Sequence, residues 1–169
     1  MIIRGKTWKY GDDVNTDQIF PGRYTYVLMQ DEQMAAHALE DLDDDFVKNA
    51  QPGDIIVAGK NWGCGSSREQ AVKAIKEKGV SAIIAKSFAR IYFRNSLNEG
   101  LPVIVCPLAV DAIEKGDEVT VDFGNNTIKT PKGDFTFAKF PDYIQGMVDK
   151  GGLIPYVMEE LKKRGLKNA

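Results

Sequence analysis

The sequence predicts an α/β fold with a parallel βαβαβ core, antiparallel hairpins after it and helices at the C-terminus. Two observations predict it. Between residues 54 and 106, continuous apolar runs alternate with helical periodicity over short, glycine-stopped connections, the pattern of a parallel sheet with right-handed crossovers. From residue 118 onward, short β-prone runs are separated by Gly124-Asn125-Asn126 and Pro131-Lys132-Gly133, which is hairpin turn chemistry. A length of 169 residues, 43% apolar and 27% charged, suggests one domain over residues 1–169. A chain of that size buries roughly 70% of its unfolded surface and needs neither disulfides nor a structural metal.

In chain order, Ile2 to Tyr10 reads as a strand, and Gly11-Asp12-Asp13-Val14-Asn15-Thr16-Asp17 as a polar loop. Another loop passes Pro21-Gly22, residues 31–40 read as a short helix, and Glu40-Asp41-Leu42-Asp43-Asp44-Asp45 is an acidic run. That run is either a solvated face or loop, or a docking surface for a basic partner. Asp54-Ile55-Ile56-Val57-Ala58, bounded by Pro52-Gly53 and Gly59, suits a strand buried on both faces. A helix from Ser67 to Lys78 places Ala71, Val72, Ala74 and Ile75 on one face and stops at Gly79. Val80 to Ala85 is the next buried strand. Ser87 is expected to cap a helix from Phe88 to Asn98, and Leu101 to Cys106 forms the third strand. After Pro107 only β segments are expected, at 118–123, 127–130 and 134–137, followed by helices at 141–150 and 155–164 with Pro155 in a first turn.

Scarcity excludes several chemistries. The charges nearly cancel, 22 basic against 24 acidic, so there is no basic field of the kind that binds nucleic acid. Cys64 and Cys106 lie far apart without a C-x-x-C, so a zinc site or a self-contained iron–sulfur cluster lacks ligands. The single histidine, His37, lies in a helical stretch and reads as a packed or surface residue, not a base. No apolar run reaches the roughly 18 residues that span a bilayer, and Met1-Ile2-Ile3-Arg4 carries no secretory apolar region. The expected compartment is the cytoplasm.

Chemistry concentrates between the strand at 54–58 and its helix, in Gly59-Lys60-Asn61-Trp62-Gly63-Cys64-Gly65-Ser66-Ser67-Arg68-Glu69. Glycines there let the backbone approach a ligand, and a helix N-terminus attracts anions. The spacing is neither a Walker loop nor a dinucleotide fingerprint. Ser66-Ser67-Arg68-Glu69 also fits a capping box, with Ser66 as N-cap. Capping leaves Arg68 unexplained: it is a fixed cation at a strand's C-terminal mouth, where α/β ligands bind. A Ser66 Oγ accepting helix-terminal N–H groups would also be a stabilised alkoxide. Asp17 could reach this mouth to orient Arg68 or bind a hydroxyl, or could serve only in an Asx turn or cap. Cys64 reads as a small, buried, passive residue.

Three segments together resemble one family. Asp13-Val14-Asn15-Thr16-Asp17-Gln18-Ile19, then Gly59 to Ala71, then Ala85-Lys86-Ser87-Phe88-Ala89-Arg90-Ile91 are similar to the small subunits of 3-isopropylmalate dehydratase and their homoaconitase relatives, stand-alone equivalents of the aconitase swivelling domain. The likeness runs in order over nearly the whole chain. It implies a swivelling-type β/β/α domain and half of a hydro-lyase. This chain would bind no cofactor, and a cluster-bearing large subunit would hold a [4Fe-4S] cluster acting as Lewis acid on a 2-hydroxy dicarboxylic acid. Ser66 would be the base, and Ser67 and Arg68 would bind substrate carboxylate, with Arg68 shaped for a bidentate pair. Asp17 would support the charged network.

Substrate choice in the family resembles a single-loop problem, here Arg23-Tyr24-Thr25-Tyr26-Val27-Leu28. Relatives acting on an extra distal carboxylate carry arginine where Tyr26 stands, and an apolar side chain there suits an isopropyl group. Arg23 nearby keeps homoaconitate and dimethylmalate open as substrates. A non-catalytic anion-binding module is the alternative of another class, and self-association remains an open possibility.

Overall fold

In the computed structural model, which describes residues 1–165, seven strands form one sheet in the order β4-β3-β2-β1-β5-β6-β7. The strand β1 (Ile2–Lys9) is its axis. On one side β1 pairs parallel with β2 (Ile55–Ala58), followed by β3 (Ala82–Ala85) and β4 (Val103–Val105). On the other it pairs antiparallel with β5 (Glu118–Asp122), continued by β6 (Thr127–Thr130) and β7 (Gly133–Thr136). The expected βαβαβ core and hairpins are both present.

The parallel strands are buried on both faces, as continuous apolar runs require. Ile56, Ala58, Ile83, Ala85 and Val103 enter one hydrophobic cluster, while Ile55, Val57, Ile84 and Ile104 enter a second on the opposite face. The first cluster is closed by α4 (Glu69–Glu77), α5 (Arg90–Asn98) and α7 (Asp142–Asp149), introduced after the short helices α1 (Thr16–Ile19), α2 (Asp31–Met34) and α3 (Asp44–Asn49). In α4 the predicted face of Ala71, Val72, Ala74 and Ile75 is fully buried. The second cluster is closed by α6 (Pro107–Ala112) through Ala109 and Val110, and α8 (Leu153–Lys163) ends the described chain. A buried Trp8 Nε1 donates to Asp54 at 2.8 Å and the Trp8 ring meets Phe46 edge-on at 5.2 Å, tying β1 to the loop before β2 and to α3.

Several local expectations are corrected. The helix expected over 31–40 ends at Met34 and continues only as a 3-10 turn, Ala35–His37. The acidic run is a solvated face, with Asp41, Asp44 and Asp45 exposed, but it is partly helical: Asp43 accepts from the Asp45 and Phe46 N–H groups, and Asp44 and Asp45 open α3, where acids suit the helix dipole. Pro107 begins a helix and not a β region, because proline at N1 is pre-set for a first turn. The last helix starts at Leu153 and holds Pro155 within its first turn. Ser87 does not cap α5; its Oγ accepts from the Asn61 N–H at 2.8 Å instead. Among the described residues no helix is long and apolar enough to cross a membrane.

Candidate active site

The β2–α4 loop is held from both sides like a strand. On one side Asp13 N donates to Lys60 O, Gly63 N to Val14 O and Thr16 N to Cys64 O, each at 2.8 Å. On the other, Trp62 N donates to Ser87 O at 3.1 Å and Ala89 N to Trp62 O at 2.9 Å. The three segments that carry the family resemblance are therefore stitched together at the C-terminal ends of the parallel strands, the usual ligand edge of an α/β sheet. Trp62, fully buried against Tyr10 and Tyr92, anchors the loop from below. Gly63 must be glycine, since its φ is +77° and an added Cβ would lie 2.2 Å from Tyr92 Cγ. Burial pushes the Tyr92 phenol well above its ordinary range.

Ser66 does not form the capping box. The helix begins at Glu69 with Arg68 as its N-cap, in extended conformation and with no side-chain cap. Two distant partners bind the segment before α4. The Thr16 hydroxyl donates to the Ser66 carbonyl at 3.0 Å and lies 3.4 Å from Ser66 Oγ, and Arg68 Nη1 donates to Asp17 Oδ1 at 2.5 Å. Asp17 is thus neither an Asx turn nor a cap. Asn15 takes the cap role on α1, in a reciprocal pair with Gln18. Cys64 is partly exposed, contrary to expectation, with its Sγ 3.5 Å from the Asp13 carbonyl.

Ser66, Ser67 and Arg68 line a cleft of about 490 Å³ together with Thr16, Asn61, Arg90, Arg94 and Asn95. The lining contains three arginines and no carboxylate. Both N-cap residues, Arg68 of α4 and Ala89 of α5, belong to it, and neither helix start has a side-chain cap. Backbone N–H groups and the positive ends of two dipoles therefore border the same space as the arginines, a setting whose electrostatics favour an anion. Ser66 and Ser67 are exposed residues of this lining. No three His, Cys, Asp or Glu side chains among the described residues come together as a metal site.

The loop Arg23 to Leu28 starts at this site but does not line the cleft. Gly22 abuts Asp17 and Arg68, and an added Cβ there would meet Asp17 Oδ1 at 2.6 Å. Arg23 donates to both oxygens of Asp41, at 2.7 and 2.9 Å, and to Glu40. Tyr24 donates to Glu40 at 3.1 Å and lies against the His37 ring, which itself contacts Glu40. The hydroxyl of Thr25 is buried without a partner. Tyr26 and Leu28 are fully exposed and Val27 half-exposed.

Sequence reasoning did not single out Thr16, Asn61, Arg90 or Arg94. A signal existed for the arginines: they are spaced i,i+4 across the start of a helix that has no acid in its first turn. A cation at that start opposes the dipole, by about 0.3–1 kcal/mol for Arg90 in the first turn.

The aconitase C-terminal domain family matches residues 13–108, the span that holds all three stitched segments. The 3-isopropylmalate dehydratase small subunit of Caldicellulosiruptor bescii is 54% identical, covering 96% of this chain and 99% of its own. The 3-isopropylmalate dehydratase small subunit 1 of Thermotoga maritima is 48% identical, with 97% of each chain covered. A crystal structure of 3-isopropylmalate dehydratase from Methanocaldococcus jannaschii superimposes with a TM-score of 0.92 at 40% identity, covering 99% of this chain and 100% of that one. Near-complete reciprocal coverage, the matched fold and the matched site segments together mean that the chain belongs to the 3-isopropylmalate dehydratase small-subunit family.

Proposed function

We propose that this chain, a single swivelling-type domain, is the small subunit of a cytoplasmic hydro-lyase that interconverts 2- and 3-isopropylmalate in leucine biosynthesis. The observation that carries the reading is the exposed Ser66 in a carboxylate-free cleft beside the Arg68–Asp17 pair. A [4Fe-4S] cluster on the large subunit supplies the Lewis acid for the departing hydroxyl. This chain supplies the base. Ser66 Oγ takes the proton from the carbon next to the hydroxyl-bearing one, the alkene forms as hydroxide leaves, and the proton returns during rehydration. Arg68 and the two uncapped helix starts stabilise the alkoxide that this requires. Thr16 holds Ser66 in place, and Ser67 and Arg68 bind carboxylate.

Loop 23–28 selects the substrate's distal group in this reading. Arg23 is already engaged by Asp41 and Glu40, and Tyr26 is uncharged, which supports isopropyl over a third carboxylate. Homoaconitate and dimethylmalate are the competing substrates, and a non-catalytic anion-binding module is the competing class. The test is anaerobic reconstitution with the large subunit, following alkene formation from 3-isopropylmalate, homoisocitrate and dimethylmalate. Turnover of the first acid by the pair alone, lost by at least about 10²-fold in Ser66→Ala, is the expected result. Equal activity of Ser66→Ala refutes the base assignment, and absence of association favours the non-catalytic module.

A further inference from the structure

The cations around the cleft are not equivalent. The Arg68 guanidinium is only 18% exposed and its charge is offset by Asp17, so it brings hydrogen bonds but little net charge. Arg90 and Arg94 both line the cleft, and neither makes a hydrogen bond or ion pair with any described residue. They lie on one face of α5, one turn apart, at an uncapped N-terminus with no acid in its first turn. They also rim a second hollow, of about 470 Å³, walled by Phe88, Phe93, Leu97 and Val105, so both side chains lie between an apolar hollow and the polar cleft. Two uncompensated positive charges therefore face a space that contains no acid.

We propose that Arg90 and Arg94 form a carboxylate subsite of this half of the active site, which takes the second carboxylate of a dicarboxylic acid and makes α5 a specificity-determining element. The inference rests on the dehydratase reading for the identity of the acid, but not for the existence of the subsite.

Two measurements test it. In the reconstituted enzyme at saturating large subunit, Arg90→Gln and Arg94→Gln are each expected to raise KM for the dicarboxylic acid about tenfold with kcat within about twofold. Arg94→Lys recovers part of the loss, because charge is kept while the bidentate fork is not. An unchanged KM in the double variant overturns the proposal. So does a requirement for more large subunit with KM unchanged, which makes the arginines partner contacts. In the isolated ¹⁵N-labelled chain, titration with malonate is expected to shift the Nε–H resonances of Arg90 and Arg94, and the double variant to abolish the malonate-induced shifts in neighbouring α5 amides. Absence of any shift overturns the subsite. If the reconstituted pair turns over none of the acids while malonate still shifts both arginines, the dehydratase reading fails and the subsite stands.

Discussion

Replacing Gly22 by alanine separates the geometry of the Asp17–Arg68 pair from the stability of the fold. The new Cβ would lie 2.6 Å from Asp17 Oδ1 and 3.1 and 3.3 Å from the Arg68 terminal nitrogens. Ordinary contact begins at 3.4 Å, so the carboxylate must retreat by about 0.8 Å and carry the guanidinium with it, and misplacements of about 1 Å cost about 10²-fold in rate. The atoms that must move are ends of flexible side chains, and the Gly22 backbone lies outside the left-handed region. Alanine then stabilises by about 0.4–1 kcal/mol through the unfolded chain. The loosened pair, with Asp17 60% exposed, loses at most about 1 kcal/mol. The two effects nearly cancel, so Tm is expected to hold within about 4 °C while kcat/KM of the reconstituted enzyme falls about 10- to 100-fold. Alkene absorbance and thermal unfolding measure the two quantities, with Asp17→Asn as the reference for loss of the pair. A kcat/KM within twofold of wild type, with Asp17→Asn inactive, refutes the claim that the position of the pair limits the reaction. A large fall in Tm shows that the backbone moved and not the pair.

Other outcomes follow from the same geometry. Gly63→Ala combines a left-handed backbone, at about 1–2 kcal/mol, with a clash against the base of the Tyr92 ring, at about 1–3 kcal/mol. It is expected to lower Tm by about 10 °C or prevent folding; a near-native melting curve contradicts the packing argument. Burial, and then the neighbouring Glu69, raise the carboxyl of Glu99 above its ordinary 4.5, although Lys73 and Lys76 oppose this. A raised acid weakens the fold once both states are ionised, so Glu99→Gln is expected to be more stable than wild type at pH 7, with the difference vanishing below about pH 4.5. Urea unfolding across pH 4–7 checks the sign, and a difference independent of pH removes the ionisation explanation. Tyr26→Arg is expected to move the kcat/KM ratio at least about tenfold toward tricarboxylic acids; an unchanged substrate profile argues against the loop assignment.

The parallel half of the sheet was legible because burial on both faces demands an unbroken apolar run, and Ile55 to Ala58 and Ala82 to Ala85 are such runs. The hairpins were legible because Gly124-Asn125-Asn126 and Pro131-Lys132-Gly133 encode turns within a few residues of themselves. The glycine-rich loop announced the site for the same reason. Helix α6 was also encoded locally, by Pro107 at N1 with Ala109 and Val110 turned inward, a signal outweighed by the β-prone runs that follow it.

What tertiary structure decided was the role of each polar side chain. Ser66 matched a local capping box, but a hydroxyl and a carboxylate some 50 residues away, on Thr16 and Asp17, bind Ser66 and Arg68, and the helix starts only at Glu69 with the serine on the cleft lining. Arg23 sits in the presumed selectivity loop, and only the return of the chain at Glu40 and Asp41 reveals that its charge is taken. Arg90 and Arg94 read as ordinary helix cations until the fold sets them in one cleft lining with Ser66 and Arg68, a lining that holds no carboxylate. Secondary structure follows from patterns repeated every two to four residues, so one sequence suffices to read it. Electrostatic roles depend on partners that only chain crossings bring within a few ångströms, and those the sequence alone did not determine.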